Sequence, residues 1–403
     1  MKQIDGGVCA AAGFTAAGVN CGIRKNKSKK DLALIVSEAP AACACVYTQN
    51  LVKGAPIAVT KQNVANGYAQ AIVCNSGNAN TCNADGVEIA SGMCALVGKA
   101  LGISPSDVVV ASTGVIGKPL SLEPIAGGIP VLAKMLAKDS AGAAEAIMTT
   151  DQKKKETAVE FAVGGTVCRM GGIAKGSGMI QPNMATMLCF ITTDVSITPA
   201  LLQKALNEDV PDSFNMVSID GDTSTNDMVT VLANGLAGNP QIGSEGADYA
   251  AFRSALSAVT QYLSRAIAGD GEGATKLIIC NIAGAADTAC AKTLAKSVIN
   301  SPLVKCAMFG ADANWGRVLC ALGYAGVAVD VSKVGVTFSS AAGEIEVCRD
   351  GAGVDFSEEL AKAVLSESEI TIDVVLGDGD AHATAFGCDL TYDYVKINGD
   401  YRT

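Results

Sequence analysis

Histidine occurs once in 403 residues, at His382 within "GDAHATAFGCDL". The two-histidine zinc motifs are therefore excluded, and a Ser-His-Asp arrangement would have to use this single residue. A lone histidine is more often structural than catalytic, so any acyl chemistry should draw its base from elsewhere. Basic charge is also in short supply: 30 Lys and Arg stand against 40 Asp and Glu, for a formal net charge of -10. Binding to a phosphate backbone is built from clustered Lys and Arg, so no nucleic-acid partner is expected. The two basic clusters, Lys25–Lys30 and Lys153–Lys155, read as solvated turns. No stretch reaches the roughly 18 apolar residues of a membrane span. Asp5, Gly6 and Gly7 also interrupt the amino terminus where a signal peptide needs its apolar segment. The expectation is a soluble, cytoplasmic protein with no membrane partner.

Cysteine is plentiful, with 15 residues, yet the spacing includes one Cys-x-Cys (Cys43, Cys45) and no Cys-x-x-Cys pair. Most read as small buried hydrophobes in a reducing compartment, neither a zinc ribbon nor a disulfide scaffold. Nucleotide fingerprints fail too: in "ASTGVIGKPL" Ser112 stands where a P-loop needs its first glycine and Pro119 where it needs Ser or Thr. "DGDTSTND" and "GDGDAH" hint at calcium but lack the central glycine and the final Glu of an EF-hand loop, so no metal site is expected.

What is present is apolar. Hydrophobic residues make up 49% of the chain and charged ones 17%, which implies a large interior, a surface covered by another subunit, or both. Short aliphatic runs predict strands at Leu32–Val36, Ala71–Val73, Val108–Ala111, Met187–Thr192, Leu277–Asn281, Val334–Phe338 and Ile370–Val375. Helical spacing places Ile89, Met93, Leu96, Val97 and Leu101 on one face, and Phe252, Leu256, Val259, Leu263 and Ile267 on another. Thr198 before Pro199 reads as a capped helix start, and "LTYDYVKI" alternates as a strand that would anchor the carboxyl terminus. The fold class is mixed α/β. Four loops rich in Gly, Asn, Ser and Thr remain: "CNSGNAN" (74–80), "ASTGVIG" (111–117), "KGSGMIQPNMATML" (175–188) and "GDGEGATK" (269–276). Strand ends that present backbone N–H groups and small hydroxyls make good oxyanion holes.

The segment "GGIAKGSGMIQPNMATML" resembles the hallmark of the ornithine acetyltransferases, the bifunctional glutamate N-acetyltransferases of arginine biosynthesis. "NSGNAN", "STGVIG", "MTTD", "DGDTSTND", "GDGEGATK", "GADANWGRVL" and "DLTYDYVKINGDYRT" resemble further family segments in the same order, so the likeness spans nearly the whole chain. Phe386 departs from it, where many members carry tryptophan. The resemblance implies a layered αββα sandwich of the self-processing DmpA/ornithine acetyltransferase type with a second, C-terminal α/β domain. It implies self-cleavage between Ala185 and Thr186, giving chains 1–185 and 186–403 that assemble two of each into a heterotetramer.

Thr186 would then be the nucleophile, and its freed α-amino group, of pKa about 7.7–8.0, the base that histidine does not supply. By the same resemblance Thr113 and Gly114 form the oxyanion hole, while Thr150, Lys175, Thr186, Glu272, Asn398 and Thr403 bind substrate. Adjacent Thr149 leaves open which hydroxyl is meant. Lys175 suits a substrate carboxylate and Glu272 the side-chain ammonium of ornithine. The implied reaction moves acetyl from N2-acetylornithine to glutamate through an acetyl ester on Thr186, with no cofactor. Acetyl-CoA is accepted as donor by some members and stays open here. A self-processing amidase or aminopeptidase, with water as acceptor, is the alternative.

Overall fold

A computed structural model describes residues 1–181 and 187–400. The chain divides into two compact units, one of residues 1–176, 182–215 and 223–263, the other of 177–181, 216–222 and 264–403. This division follows packing, whereas the 185/186 junction concerns a covalent break, and the two differ.

The first unit contains β1 (Lys2–Ile4), β2 (Phe14–Val19), β3 (Leu32–Tyr47), α1 (Ala55–Asn63), β4 (Tyr68–Asn75), α2 (Gly86–Leu101), β5 (Val108–Ser112), α3 (Glu123–Met135) and α4 (Ser140–Ile147). There follow β6 (Lys155–Val163), β7 (Thr166–Lys175), β8 (Leu188–Thr193), α5 (Pro199–Asp209), β9 (Met228–Ala233) and α6 (Ala247–Ala268), whose last turn is counted with the second unit. The strands form one sheet in the order β1-β6-β7-β8-β9-β3-β4-β5, with β2 also on β3. The pairs β4–β5 and β8–β9 are parallel.

Strand β3 turns this sheet. Exposed Pro40 offers no ladder donor, and the register against β4 slips between Val36 and Ala41. The first half of β3 pairs with β2, and the second half pairs with β9. The two halves share one inner core: Ile35, Ile72 and Val109 from one, Ile173, Phe190 and Met228 from the other. Alanines of α4 fill it, and Gly18 permits the approach, since a Cβ there would lie 2.0 Å from the Gly142 carbonyl oxygen. Alternate residues of the first half, Leu34, Val73 and Val110, face outward onto Met93 and Val97 of α2 and Ile125 of α3. On the other half Val259 and Leu263 of α6 lie over Gly172 and Ile191. Helix, sheet, sheet, helix is the expected sandwich. Burying each such aliphatic side chain contributes about 1.5–3 kcal/mol.

The second unit contains β10 (Leu277–Ala285), α7 (Thr288–Asn300), α8 (Pro302–Phe309), α9 (Trp315–Gly323), β11 (Gly335–Ser340), β12 (Gly343–Arg349), β13 (Ala352–Gly353), α10 (Glu358–Ser366), β14 (Glu369–Val375), β15 (Ala381–Cys388) and α11 (Tyr392–Gly399). Its sheet runs β13-β12-β11-β14-β10-β15, with β10 and β14 parallel. Ile278, Cys280 and Ile282 face a core with Leu294 and Val298 of α7. The opposite face is polar: Asn281 donates to Asp373 at 2.8 Å and accepts from Thr384 at 2.8 Å. His382 is exposed on β15.

Each strand expected from the aliphatic runs is found, and α2 and α6 carry the two expected helical faces. Two local expectations need correction. Thr198 precedes α5, but its hydroxyl makes no cap bond, and Pro199 alone sets the start. Residues 392–399 form α11 and not a strand. Asn398 Nδ2 donates one turn back to the Tyr394 carbonyl at 3.0 Å, and the Thr391 hydroxyl and the Tyr394 phenol hold the helix to neighbouring loops, which outweighs the alternation. Among the described residues no helix is long and apolar enough to cross a membrane.

Candidate active site

In the first unit Lys175 ends β7, Thr150 lies between α4 and β6, and Thr113 and Gly114 follow β5. Thr113 N–H donates to the Asn75 carbonyl at 2.9 Å, Asn75 Nδ2 to Ser112 Oγ at 2.6 Å, and Asn226 Nδ2 to the Ser112 carbonyl at 2.9 Å. Gly114 has φ +126°, and a Cβ there would lie 2.8 Å from the Asn78 nitrogen, so only glycine fits. Two donors are left over. The Thr113 hydroxyl and the Gly114 N–H, both half-buried, make no hydrogen bond among the described residues.

Thr150 and Lys175 are organised by one carboxylate. Asp151 Oδ1 accepts from Lys155 Nζ at 2.7 Å and from the Gly176 N–H at 2.7 Å, and its Oδ2 accepts from the Thr149 N–H at 2.9 Å. Burial alone would raise this carboxyl, but Lys155 and Lys175, with those hydrogen bonds, hold it well below the usual carboxylate range. Lys155 is 2% exposed and ion-paired, which corrects the solvated reading at that one residue; Lys153, Lys154, Lys25, Lys27 and Lys29 are exposed as expected. Because Asp151 already pairs with Lys155, Lys175 keeps its charge for something else. It is 7% exposed, and its ammonium makes no hydrogen bond or ion pair among the described residues. The Thr149 hydroxyl reaches Asp151 at 3.5 Å, whereas that of Thr150 makes no hydrogen bond among the described residues.

Asp227, missed in the sequence, stands just before β9. Its backbone neighbour Met228 donates to the Met187 carbonyl at 3.0 Å, one residue from Thr186. Asp227 is 3% exposed, and its Oδ2 has no hydrogen bond among the described residues. Burial pushes its carboxyl well above its ordinary value, against the pull of Ser224, Lys175 and Thr48. The only sequence signal was an acid at the edge of an apolar run.

In the second unit Glu272, 6% exposed, accepts from Asn398 Nδ2 at 2.7 Å, and its N–H donates to the Ser177 carbonyl at 2.8 Å. Gly178 is required beside it, since a Cβ would lie 2.4 Å from the Glu272 carboxylate. Ala185, Thr186 and Thr403 lie outside the described residues.

A model described as the ArgJ family matches residues 15–403. The chain belongs to the ArgJ family. It is accordingly an enzyme, an acyltransferase of arginine biosynthesis. A Symbiobacterium thermophilum protein named arginine biosynthesis bifunctional protein ArgJ is 52% identical over 406 residues, with 100% of both chains covered. A Bacillus subtilis protein of that name is 45% identical over 405 residues, covering 100% of this chain and 98% of its own. The crystal structure of arginine biosynthesis bifunctional protein ArgJ from Bacillus halodurans is 46% identical with a TM-score of 0.51, covering 53% of this chain and 99% of that one.

Two stability measurements check the electrostatics of the first unit. Asp151→Asn leaves Lys155 buried without its counter-charge and should cost about 3–5 kcal/mol in denaturant unfolding at pH 7. The folded-state pKa of Asp151 is depressed, so its contribution is present above the ordinary value of 3.8 and fades as pH falls below it. The gap between wild type and variant should therefore narrow in acid. Asp227 has the opposite sign: its folded pKa is raised, so wild type loses stability as pH rises from 3.8. Asp227→Asn should gain in melting temperature over wild type between pH 4 and pH 7, and a constant difference across that window would contradict the burial reading.

Proposed function

We propose that this chain is a glutamate N-acetyltransferase that takes acetyl from N2-acetylornithine, through an O-acetyl ester on Thr186, and gives ornithine and N-acetylglutamate. The observation that carries the reading is the pair of donors at Thr113 and Gly114 that stay unspent among the described residues, beside a Ser112 whose hydroxyl and carbonyl are hydrogen-bonded. Such donors stabilise an oxyanion as charge develops, each worth roughly 3–4 kcal/mol of barrier.

Maturation comes first. The Thr186 hydroxyl attacks the Ala185 carbonyl, the amide nitrogen leaves to give an ester, and water hydrolyses it to a carboxylate on Ala185 and a free amine on Thr186. That amine then accepts the Thr186 hydroxyl proton as the oxygen attacks the acetyl carbonyl, and returns it to the departing amine of ornithine. The α-amine of glutamate attacks the ester, and the Thr186 oxygen leaves with a proton. Lys175 supplies the ammonium for the substrate α-carboxylate, Thr150 a free hydroxyl, and Glu272 with Asn398 the site for the ornithine side chain. A half-length chain in the Bacillus halodurans crystal supports processing, since 53% of this chain is close to the 218 residues that follow the junction. The enzyme acts in the cytoplasm on small molecules, with no metal or cofactor of its own, as two copies of each chain; acetyl-CoA is a second donor to assay.

Active protein should run as two polypeptides, of 185 and 218 residues, and Thr186→Ala should give one uncut chain without transfer. Rates with both substrates varied should yield parallel double-reciprocal lines. Full activity from an unbroken chain would remove the amine base from the mechanism, and acetate release matching turnover regardless of glutamate would make the enzyme a hydrolase.

A further inference from the structure

Self-cleavage asks the chain before Ala185 to arrive in one conformation, and the segment Ser177–Gln181 shows how it is held. Its front is fixed by the loop that carries Glu272: the Ser177 hydroxyl donates to the Asp270 carbonyl at 2.7 Å, and Glu272 N–H to the Ser177 carbonyl at 2.8 Å. Its back is fixed by Asp220. One carboxylate receives two consecutive amides, Met179 N–H on Oδ2 at 2.6 Å and Ile180 N–H on Oδ1 at 2.8 Å, and Ile219 N–H donates to the Ile180 carbonyl at 2.7 Å. Between these anchors Met179 has φ +55°, a conformation that a side chain with a Cβ resists. Strain of this kind persists only where the surroundings over-determine it.

Asp220 also reaches the carboxyl-terminal helix. Tyr394 of α11 donates its phenol to Asp220 Oδ2 at 3.2 Å, and burial, followed by the charges of Asp220 and Glu272, raises that phenol so that it stays a donor. Asn398, one turn on, bonds Glu272. The hydrogen bonds therefore close a ring: Asp220, the Met179–Ile180 amides, Ser177, Glu272, Asn398, Tyr394 and back to Asp220. All of it lies within the second unit.

We propose that Asp220 is the positioning residue for self-cleavage, holding Met179 in its left-handed conformation so that the chain enters the Ala185–Thr186 junction on the reactive path. This rests on the self-cleavage reading above. Among the described residues Asp220 accepts from the Met179, Ile180 and Asp222 amides and from the Tyr394 phenol; it acts through the first two. An amide in its place presents one acceptor and one donor, so one of the two N–H groups loses its partner.

The test follows cleavage in time by gel after synthesis of the full chain in a cell-free system, with thermal unfolding of the same proteins. Asp220→Asn should slow cleavage by at least about tenfold. Glycine adopts φ +55° without strain, and Met179 is an exposed side chain, so adding Met179→Gly to Asp220→Asn should return cleavage to within about threefold of wild type. A residue that merely stabilised the fold would not be rescued this way. Cleavage of Asp220→Asn at the wild-type rate overturns the proposal, as does failed rescue in a double variant that unfolds cooperatively. Loss of cooperative unfolding in both variants assigns Asp220 a purely structural role and overturns it too. A wild-type chain that never cleaves removes the self-cleavage reading itself, and this proposal with it.

Discussion

The site in the first unit depends on one buried carboxylate. Asp151 neutralises Lys155, accepts the Gly176 N–H and turns the chain at Thr149. Three consequences follow from that one group. Thr150, the next residue back, is held with its hydroxyl unused; the end of β7 is pinned, so Lys175 has a fixed position; and Lys175 is left as the surplus positive charge in a buried cluster. A buried cation with no hydrogen bond or ion pair among the described residues is costly, and the carboxylate-binding role proposed for Lys175 would give that cost a use. The same logic governs the other strand ends. Asn75 and Asn226 bond the hydroxyl and carbonyl of Ser112, and among the described residues the Thr113 hydroxyl and the Gly114 N–H keep no partner, as the proposed oxyanion hole requires.

Glycine and proline place these groups as much as hydrogen bonds do. Gly114 and Gly178 stand where a Cβ would collide with backbone and with Glu272, so the loops can come as close as they do. Pro40 breaks the ladder of β3 and lets a single sheet supply both inner layers of the sandwich. Catalysis by preorganised donors needs such rigidity, because a hole that must reorganise loses its advantage.

Much of this was legible in the sequence. The aliphatic runs found β5, β8, β10 and β14 because buried strands carry their signal locally, and the long loop motifs identified the family, whose likeness names Thr113, Gly114, Lys175 and Glu272 as candidates. Lys155 was unreadable because its burial depends on Asp151, four residues back, and on packing that composition does not reveal. The tail was misread because its alternation is short, and the bonds that make it helical come from Gly273, Asp220 and Glu272, more than a hundred residues away. Asp220 and Asp227 stand at the two ends of "DGDTSTND", where the sequence offered only a calcium hint and a family likeness and did not show what either carboxyl touches. Only the fold shows one carboxyl buried with an unbonded Oδ2 among the described residues and the other gripping two amides.

The central claim is that a threonine at a new amino terminus carries the acetyl group between two amino acids. It is tested most directly by incubating the processed enzyme with N2-acetylornithine alone, then measuring the intact mass of each polypeptide and the ornithine released. The account predicts one acetyl group on the fragment that begins at Thr186, none on the fragment that ends at Ala185, and one equivalent of ornithine per site. Acetylation confined to other residues, or no ornithine until glutamate is added, would contradict it.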